Sequence, residues 1–313
     1  MSALLLVPTS WAMAGPLQDD LNWLKTMAFA AHQTDYSGTF VYQYGNHVET
    51  SRFTHIADRD GEHSRVEGLD GARREIINSN GHVWCYLGDD RLKLEGRQER
   101  NSFPALLPQQ LSLLNENYRI RQSAEGRVAG FPAHAVVFQP KDNLRYGRRM
   151  WAHVDSGLLL KTEVLDERGN VVEQYAFTQL TIGGNIDRSW IASVKQASEA
   201  LGARSNSAKA DKSIPSGWQV DMMPPGFRKI MEMRRHMGNK KMPVIHMVFS
   251  DGLAGISIFI EPESDDDDHP GLSSRGALQV YSKVITDHLV TVVGEVPPRT
   301  VMQVADSVRY SGP

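Results

Sequence analysis

Short polar turns punctuate the first part of this chain. Gly45-Asn46, Asp58-Arg59-Asp60-Gly61, Asp70-Gly71, Asn80-Gly81 and Gly88-Asp89-Asp90 each separate short runs with strand spacing. In one such run Phe40, Tyr42 and Tyr44 alternate with Thr39, Val41 and Gln43, and successive strand side chains point to opposite faces. Turns this short can join only antiparallel neighbours, because a parallel pair needs a crossover of about a dozen residues or more. The spacing therefore commits most of this region to an antiparallel meander. Strands resume at Tyr118 and continue through Ala133–Gln139, Arg148–Asp155, Leu158–Asp166 and Val171–Ile182, with turns at Ser156-Gly157 and Arg168-Gly169-Asn170.

Two helical patterns interrupt the strands. Leu17, Leu21, Leu24, Ala28 and Ala31 recur at helical spacing, and Asp19 and Asp20 suit the positive end of the helix dipole. Phe103-Pro104-Ala105-Leu106-Leu107-Pro108 reads as an apolar loop, and Gln109–Asn117 as a short helix after it. So many strands around two helices predict a strongly curved sheet or open barrel. From Ala192 to Ser216 the residues are small and polar without an apolar period, which predicts a linker. Beyond it Trp218–Met223, Pro243–Ser250, Leu253–Glu261, Leu278–Thr286 and Leu289–Val296 read as strands. Asp251-Gly252 and Asp287-His288 read as hairpin turns; Phe227–Met237 fits strand or helix, and the Pro-Pro-Gly before it favours strand. Pro297-Pro298 opens a closing helix in which Val301, Val304, Ala305 and Val308 share a face. The expected fold is mainly β with an α+β second domain. The expected division is a leader at 1–14, a large domain at 15–190, a linker at 191–213 and a small domain at 214–313.

Composition narrows the function classes. The chain has 313 residues, 41% hydrophobic and 23% charged, with a net charge of −3. That is long enough for two self-sufficient cores. It lacks the basic excess of a general nucleic-acid binder, so no nucleic-acid partner is expected. A single cysteine, Cys85, excludes an intramolecular disulfide, and its place between Trp84 and Tyr86 reads as a small core position. Ala3-Leu4-Leu5-Leu6-Val7 followed by Ala12-Met13-Ala14 resembles the apolar core and cleavage end of a secretory signal peptide. The run is too short to span a bilayer, and its missing basic start places the expected start codon upstream of Met1. No cysteine follows the cleavage site, so the mature chain is expected to be soluble, without a lipoprotein anchor, outside the cytoplasm.

No catalytic motif stands in the chain: there is no H-E-x-x-H, G-x-S-x-G, Walker A or G-x-G-x-x-G. His47, His55 and His63 fall on different strands or near turns, and no carboxylate–histidine spacing makes them a metal site. Asp251 and Asp287 read as turn formers rather than an acid–base pair. A secreted hydrolase would need a nucleophile or metal that these residues do not supply. No cofactor is expected. Surfaces remain. Arg228, Lys229, Arg234, Arg235, Lys240 and Lys241 form a basic stretch with Glu232 as its acid, and Glu261, Glu263 and Asp265–Asp268 form an acidic loop. The basic stretch reads equally as a docking face for an acidic peptide or lipid phosphate, or as a solvated strand or helix face whose charges are balanced nearby. In the first half, Phe40, Tyr42, Trp84, Tyr86, Phe103, Leu106, Leu107 and Trp151 fit either an ordinary core or an acyl-binding concave face. Arg73, Arg74, Arg148 and Arg149 are candidates for lipid phosphates.

Several segments together resemble one family. They are Tyr36-Ser37-Gly38-Thr39-Phe40-Val41-Tyr42, Leu69-Asp70-Gly71 with Arg74-Glu75, the Phe103–Pro108 loop, Arg127-Val128-Ala129-Gly130, and Thr162 after Gly157-Leu158-Leu159-Leu160-Lys161. The second half adds Met222-Met223-Pro224-Pro225-Gly226-Phe227, Ser250-Asp251-Gly252-Leu253-Ala254 and Val290-Thr291-Val292-Val293-Gly294-Glu295-Val296-Pro297. In this order they are similar to the MucB/RseB family across the mature chain. The resemblance implies a large domain like the lipoprotein carriers LolA and LolB, an unclosed antiparallel β-barrel with helices across its opening, and a small α+β domain. It implies a periplasmic negative regulator of the sigma-E (AlgU-type) envelope stress response. Such a regulator binds the periplasmic domain of an RseA- or MucA-type anti-sigma factor and shields it from the site-1 protease. It is held at the inner membrane through that partner and released by lipopolysaccharide or another acylated lipid. Homo-oligomerisation stays open. Under this reading Trp218, Phe227, Arg228, Arg234 and Arg235 are the partner-binding candidates, and the alternative is a LolA-type carrier of lipid or lipoprotein.

Overall fold

The computed structural model describes residues 16–88, 90–94, 102–108, 110–192, 216–235, 242–263 and 270–312. The leader, most of the linker, the acidic run 265–268 and Lys240 and Lys241 lie outside these residues. Helix α1 (Pro16–Gln33) opens the described chain. Six strands follow in sequence: β1 (Tyr36–Tyr44), β2 (His47–Asp58), β3 (Gly61–Gly68), β4 (Arg74–Ser79), β5 (His82–Leu87) and β6 (Asp90–Leu94). A helical turn at Leu111–Leu113 runs into the short helix α2 (Leu114–Asn117). The second meander is β7 (Tyr118–Val128), β8 (Phe131–Pro140), β9 (Gly147–His153), β10 (Leu159–Leu165) and β11 (Val171–Ile182).

The two meanders form one antiparallel sheet of eleven strands in the order β6-β5-β4-β3-β2-β1-β11-β10-β9-β8-β7. The chain walks outward from β1 to β6, crosses through α2, and walks back to lay β11 beside β1. β6 and β7 remain edges, so the sheet is curved but unclosed. Its core on one face combines Leu24, Met27, Ala28 and Ala31 of α1 with Tyr36, Phe40, Phe138, Met150 and Phe177. Each large side chain fully buried there stabilises the fold by about 1.5–3 kcal/mol. A separate cluster of Ile56, Ile77, Trp84, Ile186, Trp190 and Ile191 is covered by the helical turn at 189–192.

A polar clamp fixes the end of α1. Glu62 on β3 receives His32 at 2.9 Å and His55 at 3.2 Å, while Asp35 accepts the Ala57 amide at 2.8 Å. Burial opposes ionisation of Glu62, but the hydrogen bonds from His32 and His55 outweigh it and hold the carboxyl at about 2. The bond to Glu62 raises His32 in turn. A lowered carboxylate contributes stability that is complete above its ordinary value of 4.5 and is lost as pH falls toward 2. A raised histidine contributes stability that is complete below its ordinary value and lost as pH rises through the raised one. The thermal midpoint is therefore expected to fall on acidification from about pH 4.5 to about pH 2. In Glu62→Gln this acid-side component should be absent; a wild-type pH profile in the variant would exclude the clamp as its source.

The second domain is a six-stranded antiparallel sheet in the order β13-β14-β15-β18-β17-β16. Its strands are β13 (Arg228–Arg235), β14 (Val244–Ser250), β15 (Gly255–Pro262), β16 (Gly271–Arg275), β17 (Leu278–Ile285) and β18 (His288–Gly294). The segment after Pro-Pro-Gly, whose sequence fits strand or helix, is the strand β13. Helix α3 (Pro298–Asp306) lays Val301, Val304 and Ala305 on Ile256, Ile258, Val290 and Val292. A two-stranded ribbon of β12 (Trp218–Val220) and β19 (Val308–Tyr310) ties the domain's start to its end.

Candidate binding surfaces

Cross-strand partners in a sheet share a face. The register joins Phe40 to Phe177, Tyr42 to Tyr175, Tyr175 to Thr162, and Thr162 to Met150. One face therefore carries a band of aromatic side chains. The segment between β6 and β7 folds over it: Phe103 lies 5.4 Å from Phe40, 5.1 Å from Phe177 and 5.7 Å from Tyr175, ring centre to ring centre. Leu107 is buried in the same cluster, with Leu106 packed against it. Phe40, Tyr42, Phe103, Leu106 and Leu107 thus come together, and the space in front of the band is filled by the chain itself.

Two aromatic candidates lie outside this band, although Trp151 packs against the same core cluster. Trp84 pairs with Ile77 and sits in the Ile56–Trp190 cluster, apart from Phe40 and Phe103. Trp151 pairs with Ala135 and Lys161 on the face opposite Met150, and its indole N–H donates to Glu163 at 3.3 Å. The four arginines do not form one site either. Arg148 and Arg149 are sequence neighbours on a strand and so face opposite ways. Arg148 is buried against Glu295 at 2.7 Å, whereas Arg149 meets Glu163 at 3.2 Å. Arg73 and Arg74 are exposed, 3.7 Å from Glu75 and from Glu49 respectively. Strand alternation separates residues that are adjacent in the list of amino acids.

The partner-binding candidates divide similarly. Trp218 is buried in the small domain's core, with ring centres 5.2 Å from both His288 and Tyr310. Phe227 is buried beneath the Arg145 guanidinium, 5.3 Å away. Neither side chain is free to meet a partner in this arrangement. Arg228 and Arg234 are exposed, Arg228 standing 3.7 Å from Glu116. The backbone of Arg235 ends β13, and its side chain lies outside the described residues.

The domain junction holds residues that sequence reasoning missed. Arg145 and Asp251 have fully buried side chains and meet at 2.5 Å. The Tyr118 hydroxyl donates to the same Asp251 oxygen at 2.9 Å, and Arg145 also donates to the Pro225 carbonyl at 2.6 Å and to Asp142 at 2.9 Å. The other Asp251 oxygen accepts the Leu253 and Ala254 amides at 2.9 and 2.8 Å. Burial works against the Arg145 charge, but Asp142 and Asp251 outweigh it and raise its pKa. At a second contact Glu173 accepts the Tyr42 hydroxyl and the Ala277 amide, each at 2.9 Å, and burial pushes its carboxyl up. Gly276, with φ of +59°, lets the chain pass so close that a Cβ would run into Glu173 and the Tyr42 hydroxyl. Thr300 adds a bond to the Leu144 carbonyl at 2.9 Å, and Arg275 and Arg299 reach Glu49 and Glu167 at 2.5 Å. No local signal marks these pairs, since Arg145 and Asp251 lie 106 residues apart. Beside this junction a cleft of about 680 Å3 opens between β7–β10 and the start of α3.

Among the described residues no cluster of three or more histidine, cysteine or carboxylate side chains has a metal-binding arrangement. The molecule is an unclosed eleven-stranded sheet docked through charged contacts on a small α+β domain. The chain belongs to the MucB/RseB family: the model of the MucB/RseB N-terminal domain matches residues 19–195, and that of the C-terminal domain matches 212–309. The AlgU regulatory protein MucB of Pseudomonas aeruginosa is 33% identical over 99% of this chain and 95% of its own length. The sigma-E factor regulatory protein RseB of Salmonella typhimurium is 26% identical over 92% of this chain and 89% of its own. The crystal structure of MucB in complex with MucA(peri) covers 94% of this chain and all of that one, with a TM-score of 0.72 and 31% identity. A crystal structure of MucB covers 94% of this chain and 98% of that one, with a TM-score of 0.67 at 29% identity. These relatives are named as regulatory proteins.

Proposed function

We propose that this chain is a periplasmic regulator that binds the periplasmic domain of a transmembrane anti-sigma factor of the RseA/MucA type and shields it from site-1 proteolysis. The observation that carries this reading is similarity over both domains to MucB in its complex with MucA(peri). Binding would hold the regulator at the inner membrane and keep the sigma factor sequestered. The working division is the large domain at 15–190, the linker at 191–213 and the small domain at 214–313.

Lipopolysaccharide or another acylated lipid would act as the opposing ligand. The aromatic band around Phe40 and Phe177 supports an acyl-chain site, and Phe103 and Leu107 would have to leave it for a chain to enter. Lipid and anti-sigma segment are then linked ligands, so each lowers affinity for the other by the same factor. A protease-protection assay with the cognate anti-sigma periplasmic domain tests the reading. Co-purification and slowed site-1 cleavage are expected, and saturating lipid A should reverse both. Absence of binding and of protection would overturn the proposal. Transfer of acylated cargo to an acceptor, with the anti-sigma domain ignored, would favour a LolA-type carrier.

A further inference from the structure

The junction cleft has a chemistry of its own. It is lined by Arg121 of β7, Arg149 of β9, Arg168 in the turn after β10 and Arg299 at the start of α3. Both domains contribute. The acids around it are already engaged: Asp142 holds Arg145, Glu167 holds Arg299, and Asp166 accepts the backbone amides of Arg168 and Asn170 at 2.9 and 2.8 Å. Arg121 and Arg168 are exposed and have no carboxylate within ion-pair distance among the described residues. The cleft therefore presents guanidinium groups in excess of the carboxylates that answer them.

We propose that this cleft binds a carboxylate-rich extended peptide segment, and that it takes the acidic part of the anti-sigma partner; the second half rests on the function proposed above. Planar guanidinium groups pair carboxylates through two parallel hydrogen bonds, which gives orientation as well as attraction. A segment of several acidic side chains can reach arginines set on separate elements, which a single small anion cannot. A lipid fits less well. Phe138, Val137 and Leu165 line the cleft but are almost fully buried, so these three offer little surface to an acyl chain. Position adds a consequence. Asp142 and Arg145 line the same cleft, and Arg145 holds Asp251 of the other domain. An occupant therefore touches the loop that locks the domains, so occupancy and docking are linked.

Fluorescence anisotropy of labelled octaglutamate with the full mature chain, at low and at high salt, tests the cleft directly. Saturable binding that weakens with salt is expected, because exposed charges are screened. Arg121→Glu/Arg168→Glu should bind at least about tenfold more weakly, the equivalent of 1.4 kcal/mol. Arg121→Gln/Arg168→Gln should lie between the two. The thermal midpoint of both variants should match wild type, since both side chains are exposed. Octalysine should not bind. Equal octaglutamate affinity in wild type and the glutamate variant would overturn the proposal. So would arginine-dependent binding that appears only with phosphatidylglycerol vesicles or only with pyrophosphate. The anti-sigma periplasmic domain, titrated in parallel, separates the two readings. If wild type binds it and the glutamate variant binds it equally well, the cleft is not its site, while the regulator reading stands. If wild type ignores it but binds octaglutamate through the arginines, the regulator reading fails and the acidic-peptide cleft remains.

Discussion

Asp251→Ala is expected to cost about 3 kcal/mol of stability, since it breaks a fully buried ion pair and leaves Asp142 to balance the Arg145 guanidinium. The side chains of both residues are wholly shielded from solvent, and Asp251 also anchors the Tyr118 hydroxyl and two amides of its own turn. Urea unfolding of the mature chain measures the loss. The pair spans the two domains, so the damage should also appear in small-angle scattering as a larger radius of gyration. Tyr118→Phe removes a single hydrogen bond to a charged group and should cost less, about 1.5–3 kcal/mol. Arg145→Met combined with Asp251→Leu should cost less than the sum of the single changes, because no charge is then left stranded. A wild-type unfolding midpoint in Asp251→Ala would show that the docked arrangement does not depend on this pair.

Phe103→Ala is expected to destabilise the large domain by about 3–5 kcal/mol, the usual range for removing a buried phenyl ring. Phe103 is 7% exposed and packs on Phe40, Tyr175 and Phe177, so its loss opens a cavity in front of the aromatic band. Thermal melting should give a lower midpoint. On the acyl-chain reading, the vacated space should also raise the uptake of a fluorescent fatty acid. A variant as stable as wild type would mean that the segment 102–108 contributes no packing. A destabilised variant with no gain in uptake would leave the band as core and remove it from the lipid site.

The periodicities carried much of the architecture. Alternation at Phe40, Tyr42 and Tyr44, with Gly45-Asn46 beyond them, predicts β1, its turn and β2, and all three are observed. The helix bearing Leu24 and Ala28 and the closing helix after Pro297 also stand where helical spacing placed them, except that Val308, read on the closing helix, begins β19 because the helix ends at Asp306. Strands β16 and β19 were not legible: β16 is exposed along its length, and β19 has only three residues, so neither carries an apolar alternation. The site was less legible still. Trp84 and Trp151 read as members of one apolar face with Phe40, because composition records that a residue is aromatic but not which side of a curved sheet it takes. Asp251 read as a turn former. It does form the turn, through the Leu253 and Ala254 amides, and its second oxygen is what meets the other domain.

By itself, then, the sequence identified the family through several ordered segments, and it determined most of the elements and the antiparallel pairing of neighbours along the chain. These follow from short-range patterns, which hydrophobic spacing and turn chemistry write locally. The tertiary structure alone decided that the aromatic band is filled by Phe103 and Leu107, and that Arg148 is buried against Glu295 while Arg149, on the other face, meets Glu163. It alone placed Arg121, Arg168 and Arg299 around one cleft. Those outcomes depend on strand register and on contacts between residues more than a hundred positions apart, such as Arg145 and Asp251. A one-residue change of register would send Arg121, Arg148 and Arg149 to the opposite face of the sheet.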